Sequence, residues 1–120
     1  MEEHLPDDHY DLGILYDNIG AAYSMMKKYT IALTYHNRAL VILEQNPSSN
    51  VLDVAFTYFN IGHTHQGLKN YQQALDRYHK AQSILVENKM TSQPLYSQIE
   101  VNIQHCKHRI SRSAWMSQIN

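Results

Sequence analysis

Three asparagines, Asn18, Asn60 and Asn102, stand 42 residues apart. A carboxamide is at once a donor and an acceptor. One such side chain can therefore pair with the N–H and the C=O of a single peptide unit without reading the side chain that unit carries. Asparagine is also a poor helix former, yet two of the three lie in closely similar stretches, "YDNIGAAYSMMKKYTIAL" from Tyr16 and "YFNIGHTHQGLKNYQQAL" from Tyr58. An unfavourable residue kept at one register points to a contact made by its amide.

Other chemistries find less support. The chain has eight histidines, and His105 and His108 share a helix face that His63 can approach. Zinc needs further ligands at about 2 Å, and no cysteine or carboxylate is placed to supply them. His63 and His65 are two apart and face different ways. Neither a metal nor another cofactor is expected. No nucleophile elbow, phosphate loop or paired-carboxylate pattern is present, so the chain does not read as an enzyme. A formal net charge of −1, without a long run of one sign, argues against nucleic acid as a partner. Cys106 is the single cysteine, so no intramolecular disulfide forms, and a reducing, cytoplasmic setting is the simplest reading. The opening "MEEHLPDDHY" is acidic and polar, unlike a secretory signal. No apolar run nears the roughly 20 residues that span a bilayer, so no membrane is expected as a partner.

These residues need elements to hold them. Laying residues 13–46 over 55–88 brings twelve positions into identity without a gap, among them Tyr16/Tyr58, Gly20/Gly62, Tyr29/Tyr71, Ala32/Ala74 and Ala39/Ala81. Chance gives about two, so the chain holds an internal repeat of period 42. Each copy reads as two helices. In the first, Tyr16, Ile19, Gly20 and Tyr23 recur at i, i+3, i+4, i+7, as do Tyr58, Ile61, Gly62 and His65. The second carries Tyr29, Ala32, Leu33, His36, Ala39 and Leu43, matched by Tyr71, Ala74, Leu75, Tyr78, Ala81 and Leu85. Glycine inside a helix costs about 1 kcal/mol relative to alanine. Its presence in both copies predicts a close helix crossing at Gly20 and Gly62. "NPSSN" from Asn46 and "NKMTSQP" from Asn88 read as loops, with Pro94 in the first turn of a further helix. Along that helix Leu95, Ile99, Ile103 or Cys106, and Ile110 form an apolar stripe.

This pattern resembles the tetratricopeptide repeat. The family order of aromatic, Leu-Gly, Tyr, Ala, aromatic, Ala falls on Tyr16, Ile19, Gly20, Tyr23, Ala32 and Ala39, and again on Tyr58, Ile61, Gly62, Ala74, Tyr78 and Ala81. His36 and His65 stand where aromatics are expected and are read as packed seam residues. Lys27 and Lys69 replace the usual glycine of the inter-helix turn. The period is eight residues longer than the common 34, and the "NNLA"-like first helices look like those of kinesin light chain arrays. The resemblance implies an all-α fold: an α-solenoid of two helix-turn-helix units plus a C-terminal fifth helix, either half a repeat or a cap. One domain is expected over 1–120, with a connector and helix start at 1–12, repeats at 13–46 and 55–88, and the last helix at 94–116.

In this fold the first helices line a concave face, and on the helical wheel the asparagines lie about 200° from Tyr16 and Gly20. The resemblance thus implies a ladder of Asn18, Asn60 and Asn102 that holds an extended peptide. Their i±3 and i±4 neighbours complete the expected site: Ile14, Asp17, Ala21 and Met25; Phe56, Phe59, His63 and Gly67; Gln98, Val101, His105 and Arg109. Phe59 reads equally as a pocket wall and as a helix–helix contact. A clamp for a C-terminal carboxylate is not expected, because its lysine and arginine positions fall on Asp17, Gln98 and Asn102. The expected function is a non-catalytic module that binds an extended segment of a partner protein. The alternative is a spacer or self-associating piece of a longer array, whose unpartnered end faces imply homo-oligomers and which would serve a catalytic domain elsewhere.

Overall fold

The computed structural model describes residues 6–47 and 49–119. Five helices follow one another: α1 (Pro6–Met25), α2 (Tyr29–Gln45), α3 (Val51–Gly67), α4 (Tyr71–Glu87) and α5 (Pro94–Ile119). Each packs on its neighbours in sequence, and α1–α3 and α3–α5 touch more lightly. The described part extends 64 × 33 × 19 Å with a radius of gyration of 15.9 Å. A globule of this length would have about 14 Å. The all-α solenoid read from the repeat is therefore present. Pro94 opens α5, and the helix runs past residue 116 to Ile119.

Small residues set the closeness of each pair. Ala32, Ala39, Ala74 and Ala81 on the second helices are wholly buried. Opposite them, a Cβ on Gly20 would lie 2.8 Å from the His36 ring, and one on Gly62 would lie 2.9 Å from the Tyr78 ring. The close crossing is thus confirmed in both copies, and His36 is a packed seam residue, 1% exposed. His65, which takes the place of Tyr23, is half-buried.

The turns use lysine where glycine is the easier residue. Lys27, Lys69 and Lys89 have φ of 62, 65 and 58°. In the first turn the Lys28 N–H donates to Tyr23 O at 2.9 Å and the Lys27 N–H to Ser24 O at 2.9 Å. Asn70 to His65 (2.8 Å) and Met90 to Leu85 (2.8 Å) repeat the pattern. These paired bonds close the helix ends in the way a left-handed C′ residue allows. At the start of α3, Asn50 accepts from the Leu52 N–H at 2.8 Å, and Asp53 in the first turn complements the helix dipole.

Leu95, Ile99, Ile103 and Cys106 of α5 are buried in the main cluster with Ala55, Tyr58, Phe59, Tyr78 and Leu85. The expected stripe is thus the face that docks on α4, with Ile110 half-buried at its end. From Ser111 to Ile119 every residue is exposed, so the last turns overhang the bundle.

Candidate functional site

The inner face is lined by α1, α3 and the first half of α5. Three adjoining cavities follow it. One of about 270 Å³ is bounded by Ile14, Asp17, Asn18, Ala21, Asp53, Phe56 and Asn60. It shares Ala21, Phe56 and Asn60 with a second of about 290 Å³, which adds Ser24, Met25, His36, Phe59, His63 and Gln98. The second shares Ser24 and His63 with a third of about 230 Å³, bounded also by Tyr29, Gln66, Gly67, Tyr71 and His105. Together they make one groove. Most of the lining expected from helix spacing is there, Asn18 and Asn60 included. Val101, Asn102 and Arg109 line none of these three cavities.

Asp17 is not an open groove acid. It is buried, with its side chain 12% exposed, and its carboxylate gathers donors from two other helices. The His36 Nδ1 lies 2.7 Å from Oδ1. The Thr57 hydroxyl and the Asn60 Nδ2 both donate to Oδ2 at 3.1 Å. Asp53 O lies 3.0 Å from the same hydroxyl, so the single Thr57 proton is shared between the two oxygens. Asp17 thus ties α1 to α2 within its repeat and to α3 in the next.

The three asparagines are not equivalent rungs. Asn18 is exposed, while Asn60 and Asn102 are half-buried. Asn60 spends one N–H on Asp17, and the residue itself lines two of the cavities. The residue in the corresponding place for Asn102 is Phe59, which offers no acceptor.

Phe59 resolves toward the core. It is 6% exposed, with its ring centroid 5.6 Å from Tyr78. Phe56 meets it edge-on at 5.9 Å, and His63 stacks on it at 6.1 Å. Phe59 is therefore the floor of the groove, with Phe56 and His63 exposed above it. His105 meets Tyr71 edge-on at 6.3 Å, and the Arg109 guanidinium sits 5.1 Å from the same ring. Sequence spacing missed Tyr29, Gln66 and Tyr71, which reach the groove from the turns. Their repetition as Tyr29/Tyr71 was the signal available.

Several groups are tuned by burial. Tyr58 donates to Glu44 at 2.6 Å, and burial, then that carboxylate, pushes its phenol up to about 12. Tyr78 donates to Gln66 at 2.6 Å, and burial raises it further. Tyr10 donates to Asp53, and that bond raises its phenol. Burial also raises the Cys106 thiol. Such groups stay neutral near pH 7 and act as hydrogen-bond donors rather than as bases or nucleophiles. Among the described residues no three His, Cys, Asp or Glu side chains stand together to hold a metal ion, and no helix is long and apolar enough to cross a membrane.

No curated protein matches the chain in sequence. The family profile described as tetratricopeptide repeat matches residues 9–85, which is more than half of the chain and covers both helix pairs. With its two close glycine crossings, its sequential helix pairs and this match, the chain belongs to the tetratricopeptide repeat family.

Proposed function

We propose that this chain is a non-catalytic interaction module that captures an extended segment of a partner protein in its groove. Repeats of this family are generally protein–protein interaction modules, and the longer period of 42 supports placing it with arrays of the kinesin light chain kind. The observation that carries the reading is the placing of Asn18 and Asn60 on one groove above an apolar floor of Phe56 and Phe59. Packed helices stand on the order of 10 Å apart, and an extended chain advances about 3.3 Å per residue. Successive amides then meet the ligand backbone about every third residue. Asn102, half-buried and outside the three cavities, makes the third and weakest contact, with no neighbouring carboxylate to orient it. Ala21, His63 and His105 border the path and read side chains, and Arg109 stands beyond its end, over Tyr71.

Each amide pair contributes roughly 0.5–1.5 kcal/mol net. Calorimetric titration with a peptide selected on the parent chain tests this. Asn60→Ala should weaken binding most, since Asp17 pre-orients it, followed by Asn18→Ala and then Asn102→Ala. The losses should be similar for ligands of unrelated sequence, whereas changes at Phe56 or His63 should alter which ligand is preferred. If all three alanine variants remain folded and bind as the parent does, the groove amides hold no ligand and the spacer reading takes their place.

A further inference from the structure

Charge in this chain is sorted along the repeat. The stretches 18–43, 54–75 and 101–120 contain no aspartate or glutamate, and all eleven acids lie outside them. Seven of the ten lysines and arginines lie inside, among them Lys27, Lys28, Lys69, Arg109 and Arg112. The first two stretches each span the turn from a first helix to a second, and the third covers the C-terminal part of α5. Glu44, Asp53 and Glu87 stand at the opposite helix ends, about 25 Å away along a 17-residue helix.

Contacts place these cations on one edge. Lys28 precedes Tyr29, whose ring lies 2.5 Å from where a Cβ on Gly67 would stand, so the first turn abuts the end of α3. Lys69 follows that end in the same left-handed conformation as Lys27, with φ of 65 and 62°. Tyr71, two residues on, has the Arg109 guanidinium 5.1 Å from its ring. There the edge meets the overhang of α5, and the corner encloses a cavity of about 650 Å³ beyond the groove. Lys69, Arg109 and Arg112 line it with Ser113, Met116 and Ser117, and among the described residues no carboxylate does. Among those residues, too, none of the three cations is held in an ion pair.

We propose that this edge is a second binding site, for an acidic, carboxylate-rich segment of a partner protein. Clustered cations without counter-charge raise the local concentration of an anion that fits among them. Arg109 and Arg112 lie one turn apart on α5, and a guanidinium forks onto a carboxylate. The Arg109 fork is already held by the Tyr71 ring, so less freedom is lost on binding. The nine exposed residues of the overhang stand about 13 Å proud of the turns. They keep a flat lipid surface away from the corner and leave room for a single strand. From Lys27 to Arg112 the row crosses two helix spacings, on the order of 20 Å, which about six extended residues cover. The site lies outside the row of groove amides and is independent of what the groove binds.

Fluorescence anisotropy on the full chain tests this, with a labelled peptide of alternating aspartate and glutamate of that length. The parent should bind at low ionic strength and weaken steadily as added salt shortens the screening length. Lys69→Gln with Arg112→Gln should weaken binding about tenfold, and Lys27→Gln with Lys28→Gln about threefold. Lys80→Gln with Lys89→Gln removes as much charge away from the edge and should change it less than about twofold. Circular dichroism shows whether each variant keeps its helices. Arg112 lies on the exposed overhang, so Arg112→Gln alone reads the corner even where a Lys69 variant loosens its turn. A parent that does not bind the peptide overturns the proposal, as do edge variants that bind it like the parent. A Lys80 and Lys89 variant that loses as much as the edge variants overturns it too, because only bulk charge is then at work. Anionic vesicles or single-stranded RNA bound more tightly than the peptide at equal salt would give the edge to that partner instead.

Discussion

At one register, 42 residues apart, the two repeats solve the same packing problem with opposite chemistry. In the first, Asp17 faces His36 at 2.7 Å. In the second, Phe59 faces Tyr78 with ring centroids 5.6 Å apart. The backbones match, since Gly20 and Gly62 bring their helices equally close to the His36 and Tyr78 rings. The difference lies in reach. The aromatic layer packs mainly within its own repeat and on the α5 stripe, whereas the polar layer extends through Thr57 and Asn60 into the next repeat. A buried carboxylate is expensive unless every oxygen finds a donor, and here the second repeat supplies two of the three. The polar layer therefore fixes how one repeat sits on the other, at a position where apolar packing alone is less directional.

The sharpest way to break this comparison is to remove Asp17. Asp17→Ala leaves His36 and Asn60 short of a partner, while Thr57 keeps Asp53 O, and buried unsatisfied groups cost about 1–3 kcal/mol each. Thermal and urea melts should show a loss of about 4 kcal/mol. Asp17→Phe combined with His36→Tyr copies the second repeat's layer and should recover most of it, because a packed apolar pair replaces a buried polar one at little net cost. If the double variant melts no higher than the single one, the two layers are not interchangeable.

The glycines come next. Gly62→Leu drives a side chain into the Tyr78 ring and toward Ala74 O, 3.2 Å from an added Cβ. Overpacking of this kind costs about 3 kcal/mol. Gly20→Leu should cost a similar amount, because the His36 ring is fixed by Asp17. Melts of Gly62→Leu that match the parent would mean that the crossing yields and does not set the pair's spacing.

The smallest effect concerns pH. His65 stands where the first repeat has Tyr23, which stacks on Tyr35 at 5.6 Å. Burial, then the Arg77 charge, lowers its pKa, and its Nδ1 has no partner. The folded state therefore binds the proton less readily than the unfolded chain. The contribution of neutral His65 is complete above the unfolded value of about 6.5 and fades as pH falls through the lower folded value. The melting temperature of the parent should drop on acidification below that range. His65→Tyr should remove its share of the drop, and an unchanged pH profile in that variant would show that His65 does not feel the seam.

Much of the fold was legible because a repeat shows its spacing twice. The helix pairs, the crossings at Gly20 and Gly62, the α5 stripe and the opening at Pro94 all follow from residues that recur at local spacing. The role of Asp17 was not legible. A helical wheel places it toward the groove but says nothing of how deeply the next helix covers it, and its partners lie 19, 40 and 43 residues away. The clue was the joint departure of Asp17 and His36 from the aromatic pair at Phe59 and Tyr78. The cavity lined by Lys69, Arg109 and Arg112 was hidden for a related reason. It joins a turn lysine to the far end of α5, and only the overhang brings them together.

Contacts that run mainly between neighbouring helices also shape how this chain reaches its fold and how it breathes. Little of the chain must be looped out before a contact forms, so folding proceeds locally and fast and can start in either pair and spread. Protection of backbone amides against exchange follows the same order. The amides of α3, covered on both sides by α2 and α4, open last, while the overhang beyond Ile110 exchanges first. The end whose cavity joins Lys69 to Arg109 and Arg112 is thus the end that opens most easily, and an occupant there would slow exchange across α5.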